Sequence, residues 1–246
     1  AGSAAALILL IGRQRWPARQ HLGGLLVVAA CIGVGFPLLV GIAMSLAPAS
    51  QGGVVFGVLP LATALFAAIL HGDRPSKVFW FCAALGGFLV ALFALGTGGG
   101  AFSLGDAALL GCVLIAALGY AVSGQLAKSL GGWRVICWGV VIALPVNIPA
   151  AIYCWPQNAA AVSDSVWLSF AYLALISQLI GFFWWNKGLA LGGVARVSQI
   201  QLLQPFITLL AAALLLAESP GWHAVGFAAA VVVVVAIGSR QPVRQQ

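Results

Sequence analysis

Charge is what this sequence lacks. Of its 246 residues only 6% are charged, and just four are acidic, while 63% are hydrophobic. A soluble domain carries roughly a quarter of its residues charged, so this chain cannot clothe itself for water. Metal-ligating and nucleophilic groups are scarce too. The three histidines, His21, His71 and His223, fall at predicted helix ends, far apart in sequence. Of the five cysteines, Cys31, Cys82, Cys112 and Cys137 lie deep in apolar runs and Cys154 near a run's end, with no CxxC. They read as packing residues, so neither a metal nor a cofactor is expected. A membrane-embedded enzyme would need a nucleophile–base pair or paired carboxylates, and four scattered acids supply neither. The formal net charge of +7 does not indicate nucleic acid, because the basic residues sit between apolar runs and form no patch with interleaved aromatics.

What the chain has in abundance is apolar length. Runs occur at 1–12, 22–46, 52–71, 78–96, 104–127, 134–155, 165–187, 196–217 and 222–239. A membrane-spanning helix needs about 20 mostly apolar residues, so all but the first are long enough to cross a bilayer. The breaks carry turn chemistry. Arg74-Pro75-Ser76 and Ser219-Pro220-Gly221 each read as a stop and a restart with Pro at a first helical position. Ser103 and Asp106 have capping-box spacing. The sequence therefore predicts an all-α polytopic membrane bundle of about eight full helices plus a partial one.

Alternate loops must lie on opposite sides of such a bundle. The segment around 13–21, the loops near 72–77, 128–134 and 188–195, and the tail then share one side. With their flanks they hold all eleven Lys and Arg, from Arg13 to Arg244. Asp106, Asp164, Glu218 and His223 fall on the other side. The positive-inside rule places the basic side, and with it the C-terminus, in the cytoplasm. The expected location is the inner (cytoplasmic) membrane.

The chain also repeats itself. Val58-Leu59-Pro60-Leu61 leads through an apolar stretch to Asp73 and a Pro-containing turn. Leu203-Gln204-Pro205-Phe206 leads likewise to Glu218 and another such turn. Pro60 to Pro205 and Asp73 to Glu218 are both offset by 145 residues. The charge map puts the two turns on opposite sides, so the units are inverted, as two five-helix repeats would be. Residues 1–97 read as the first repeat, lacking its first helix and part of its second, and 103–240 as the second. The parent would have ten helices.

These features resemble the EamA domain of the drug/metabolite transporter superfamily. They are the Leu-x-Pro-x-x-x-x-Leu pattern closed by an acidic residue, the Gly-bearing helix after it, Gly105-Asp106-Ala107 and Gly119-Tyr120-Ala121. Asp73 departs from the usual Glu. The resemblance implies a ten-helix bundle working by alternating access on small metabolites, amino acids or toxic analogues, with export as the expected direction. The expected partners are a solute and the lipid bilayer, and a homodimer is compatible with the bundle. A non-transporting assembly subunit is the alternative.

In an inverted-repeat transporter the solute site lies near the midplane. Span midpoints bring forward Phe36, Pro37, Pro60, Tyr120, Asn147, Gln178 and Phe206. At about 100° per residue Ser198, Gln201, Gln204, Pro205 and Thr208 share a helix face, and Gln178, Gly181 and Trp185 share another. Buried amides must meet protein or a watery cavity, so these residues are candidates for a solute-contacting wall, or for helix–helix glue. Trp184 and Trp185 read equally as an interfacial aromatic belt. Pro37, Pro60 and Pro205 are candidate helix breaks. No charged residue lies near a predicted midplane, which suits a small neutral or zwitterionic solute.

Overall fold

The computed structural model describes residues 1–46, 56, 58–98, 104–204, 206–207, 222–241 and 243–244. Among these the chain is almost wholly helical. Helix α1 spans Gly2–Ile11. Helix α2, Arg19–Val28, runs into a π-helix, Ala29–Gly35, and on into α3, Phe36–Leu46. Then come α4 (Leu59–His71), α5 (Lys77–Gly98), α6 (Leu104–Leu130), α7 (Gly132–Ile142) and α8 (Leu144–Tyr153). Helix α9, Asp164–Ala171, continues through a second π-helix, Tyr172–Gly181, into α10, Phe182–Gly192. Helix α11, Val194–Ser198, tightens into a 3-10 segment, Gln199–Leu203, and α12 is Trp222–Ser239.

Among the described residues, three continuous stretches are long and apolar enough to cross a membrane: Arg19–Ala43, Ala107–Leu130 and Asp164–Gly192. The run expected as one span at 134–155 is instead α7 and α8, bent by 54° where they meet. Pro145 explains the break. It lacks an N–H and fits the first turn of a helix better than an interior. Outside the buried core, large apolar side chains stand exposed along the helices, among them Phe81, Phe88, Leu114, Leu168 and Phe170. Lipid is the solvent that suits them. Every basic side chain described is also exposed.

The chain divides into two compact units, each drawing on both halves of the sequence. Unit one is Ala1–Pro37 with Val122–Leu191, and unit two is Leu38–Ala121 with Gly192–Gln246. Within unit one α7 is the hub. Helices α1 and α2 and both π-helices pack against it, and Val135, Ile136 and Cys137 are fully buried. Small residues make the approach close. A Cβ on Gly139 would lie 2.7 Å from Val28 Cγ1, and one on Gly33 would lie 2.8 Å from Ala143 Cβ. Such stripes of small residues are how helices associate where lipid removes the hydrophobic driving force. Gly131 enters α7 with φ of +86°, a conformation reserved for glycine.

Within unit two α12 packs along α5, and α11 along α4. Leu202, Phe206, Val231 and Val235 form an apolar cluster with Leu89 and Leu203 against it. His71, at the end of α4, has its Nε2 3.0 Å from the Ala121 carbonyl oxygen. Arg74–Pro75 and Val243–Arg244 form a two-residue antiparallel bridge, β1 and β2, which ties the turn after α4 to the C-terminal tail.

Candidate solute-binding site

The strongest polar feature of unit one grows from a proline. In a helix the N–H of each residue closes a bond to the carbonyl four residues back, or five back in a π-helix. Phe36 follows the π pattern, donating its N–H to the Cys31 carbonyl. The next residue is Pro37, which has no N–H. It therefore gives nothing to Ile32, its partner in π register, or to Gly33, its partner in α register.

Those two carbonyls take side-chain amides instead. Gln178 Nε2 donates to the Ile32 oxygen at 3.0 Å, and Asn147 Nδ2 donates to the Gly33 oxygen at 2.9 Å. Each amide is delivered by an irregularity. Gln178 sits in the second π-helix, and Asn147 lies one turn beyond the α7–α8 bend. Because Gly33 has no side chain, the π-helix comes against Ala143 at that bend, which brings Asn147 within reach. Both amides are half-buried, so they are satisfied and still reachable. An unpaired carbonyl in a lipid-surrounded helix costs several kcal/mol, on the order of a lost hydrogen bond, so the pairing is strongly enforced.

The other unit-one candidates surround this feature unevenly. Phe36 is half-buried and Pro37 exposed, at the start of α3. Gly181 is exposed, and a Cβ there would meet only the Ile176 carbonyl, at 3.2 Å. Trp185 is half-buried. Its neighbour Trp184 is exposed, with the Lys187 ammonium 5.2 Å from its ring centroid, an interfacial arrangement. Near these residues a cavity of about 890 Å³ is lined by Ile8, Ile11, Trp133, Trp184, Lys128 and Lys187, among others. Neither Asn147 nor Gln178 lines it.

Unit two holds the remaining candidates. Buried Ser198 donates its hydroxyl to the Ala195 oxygen at 2.9 Å and reaches the Pro60 oxygen at 3.4 Å. The Gln201 side chain reaches the buried Tyr120 hydroxyl, while Gln201 Oε1 is buried with no partner among the described residues. Gln204 is exposed. The expected stripe assumed an α-helix throughout. In the 3-10 segment residues three apart eclipse one another. Ser198, Gln201 and Gln204 therefore stay in line, but the inward row is Gln199 and Leu202, each 1% exposed. Gln199 is a candidate that α-helical spacing missed, and its Nε2 has no partner among the described residues. Pro205 and Thr208 lie outside the described residues.

Pro60 lies in the first turn of α4, where its missing N–H costs nothing.

Comparison with known proteins now decides the family. Residues 103–239 match the model of the EamA-like transporter family. The chain belongs to that family. An uncharacterized transporter of Bacillus subtilis, YdeK, is 45% identical over 98% of this chain and 84% of its own length. The aromatic amino acid exporter YddG of Ancylobacter novellus is 26% identical over 85% of this chain and 71% of its own. A solved crystal structure superposes with a TM-score of 0.77 over 97% of this chain and 85% of that one, at 21% identity, and shares the fold. This EamA-family protein is therefore a multi-pass membrane transporter that handles a small solute, and not an enzyme.

Proposed function

We propose that this EamA-family protein moves a small neutral or zwitterionic, amino-acid-like solute across the cytoplasmic membrane by alternating access, outward, with its C-terminus in the cytoplasm. The observation that carries the solute class is the pairing of Asn147 and Gln178 with the carbonyls of Gly33 and Ile32 beside Pro37, in segments (Ala29–Gly35, Leu144–Tyr153 and Tyr172–Gly181) that hold no charged residue. A site of neutral amides and carbonyls offers both donors and acceptors and no net charge, which suits a solute with both and no net charge. The name of the Ancylobacter relative, an aromatic amino acid exporter, supports an amino-acid-like solute. The half-buried aromatics Phe36 and Trp185 would accommodate its apolar part, with Gly181 leaving room beside Gln178. Within unit two, Tyr120, Gln201 and Gln204 are proposed as solute-contacting residues in their own right.

Alternating access draws support from the two-repeat reading, residues 1–97 and 103–240. Shifted by 145 residues, the start of α2 at Arg19 falls on Asp164, the start of α9. The same shift carries the π-helix Ala29–Gly35 into Tyr172–Gly181. An inverted pair of units is the usual frame for rocking about a fixed site.

The test is counterflow of labelled neutral amino acids into proteoliposomes. Uptake above protein-free vesicles is expected, reduced at least tenfold by Gln178→Ala. Absence of flux for every amino acid tried would remove the transport reading of the site and favour an assembly role.

A further inference from the structure

The Pro37 carbonyls and the two amides pair with each other, yet each group is also one half of what a zwitterion needs. We propose that Asn147, Gln178 and the carbonyls of Ile32 and Gly33 form a latch that the solute's own charged groups replace. The inference rests on the transport reading above and specifies its chemistry. The solute's carboxylate takes the Asn147 Nδ2 and Gln178 Nε2 protons, and its ammonium donates to the two freed carbonyl oxygens.

The hydrogen bonds balance for a zwitterion and for neither of its halves. In the closed latch two N–H groups meet two carbonyls, at 2.9 and 3.0 Å. A carboxylate has two oxygens to receive both amides, and an ammonium has three protons, enough for both carbonyls. None of the four latch groups is left unpaired. Two neutral bonds give way to charge-assisted ones, which are roughly twice as strong. A carboxylic acid without the amine would strip the amides from the Ile32 and Gly33 carbonyls and return no donor to either, and Pro37 supplies no N–H to make up the loss. An amine without the carboxylate would leave both amides bare. Sites that must hydrogen-bond a group reject the analogue lacking it, because their own polar groups are then left unpaired.

The latch also reaches beyond recognition. Gln178 belongs to the second π-helix, and Ile32 and Gly33 to the first. Closed, the latch joins the two π-helices directly. Loaded, it joins them through the solute. Solute binding therefore changes the coupling between the two segments that a shift of 145 residues superimposes.

The test uses the whole chain in detergent, with labelled phenylalanine and labelled leucine in scintillation proximity binding. Each is competed by itself, by its decarboxylated amine and by its deaminated acid. The zwitterion should compete at least tenfold better than either half-analogue. Gln178→Glu keeps the side chain's size but exchanges its donors for a negative charge. It should weaken the amino acid at least tenfold and reverse its order with the amine. Pro37→Ala restores one N–H, enough for one of the two carbonyls, and the gap between the amino acid and the deaminated acid should then narrow at least threefold. Equal competition by zwitterion and half-analogues in the unaltered protein overturns the latch while leaving transport standing. Should neither amino acid bind, the zwitterion reading falls and the latch with it. If Gln178→Glu does not fold, the analogue series and Pro37→Ala still decide the matter.

Discussion

Gly33 is the position at which the fold of unit one is most sharply tested. A methyl group built there would lie 2.8 Å from the Ala143 methyl. Carbon atoms in good contact sit about 3.5–4.0 Å apart, so Gly33→Ala must drive the π-helix and the α7–α8 bend apart by roughly 1 Å. Ala143 is only 2% exposed and cannot swing away, since it is all backbone and one methyl. Overpacking of this kind costs about 1–3 kcal/mol. For a chain of this length each kcal/mol lowers the melting temperature by about 2–4 °C, which gives a drop of roughly 3–10 °C. The assay is thermal unfolding of the purified protein in detergent, followed by tryptophan fluorescence. The decisive comparison is with Ala143→Gly. Removing that methyl leaves the new Gly33→Ala methyl facing the Gly139 oxygen at 3.5 Å, an ordinary contact. The double variant should recover all but about 0.5–1 kcal/mol, the usual cost of a glycine in a helix. Solute binding should follow the same pattern, because the displacement pulls the Gly33 carbonyl away from Asn147. If the two substitutions merely add, the close approach of these helices is not what holds Asn147 in place.

Three further outcomes are expected. Asn147→Ala should cost about 1–3 kcal/mol by leaving the Gly33 carbonyl unpaired, and much less in a Pro37→Ala background; a double-mutant cycle in thermal unfolding measures the difference. Gly131→Ala, at φ of +86°, should cost about 1–2 kcal/mol, whereas Gly23→Ala, with open space around it, should be neutral or stabilise α2 by up to about 1 kcal/mol, both read from the same melting curves. Cys154 is exposed while the other four cysteines are buried, so an impermeant maleimide should label Cys154 alone, and from outside intact cells if the basic side is cytoplasmic; labelling only in inside-out vesicles would reverse the orientation.

Much of the bundle was legible because apolar length and basic loops are one-dimensional signals. The run at 222–239 became α12, and the run at 104–127 became α6 with one further turn. Lys128 and Arg134 marked the end of α6 and the start of α7, whereas Lys187 lies inside α10. What the sequence could not convey were departures from α-helical spacing. A scan at 100° per residue sees Gln178 and Asn147 as amides on separate helices. It cannot see that π-turns and a bent pair bring both to neighbouring carbonyls. Pro37 and Pro145 were visible, but their partners are set by three-dimensional approach at Gly33. Gln199 was missed for the same reason, since only the tighter 3-10 winding turns it inward beside Leu202.

A π-turn holds one residue more than the α-turn it replaces. The Ala29–Gly35 and Tyr172–Gly181 segments are thus places where a membrane helix stores surplus length without disturbing the helices on either side. Insertion or loss of a single residue there should be absorbed locally, while the same change inside α6 would rotate every residue beyond it. When this chain is aligned with its relatives, a one-residue gap in either segment should be read as winding or unwinding of a turn. The cost of such a gap would fall on the open carbonyls and not on the span.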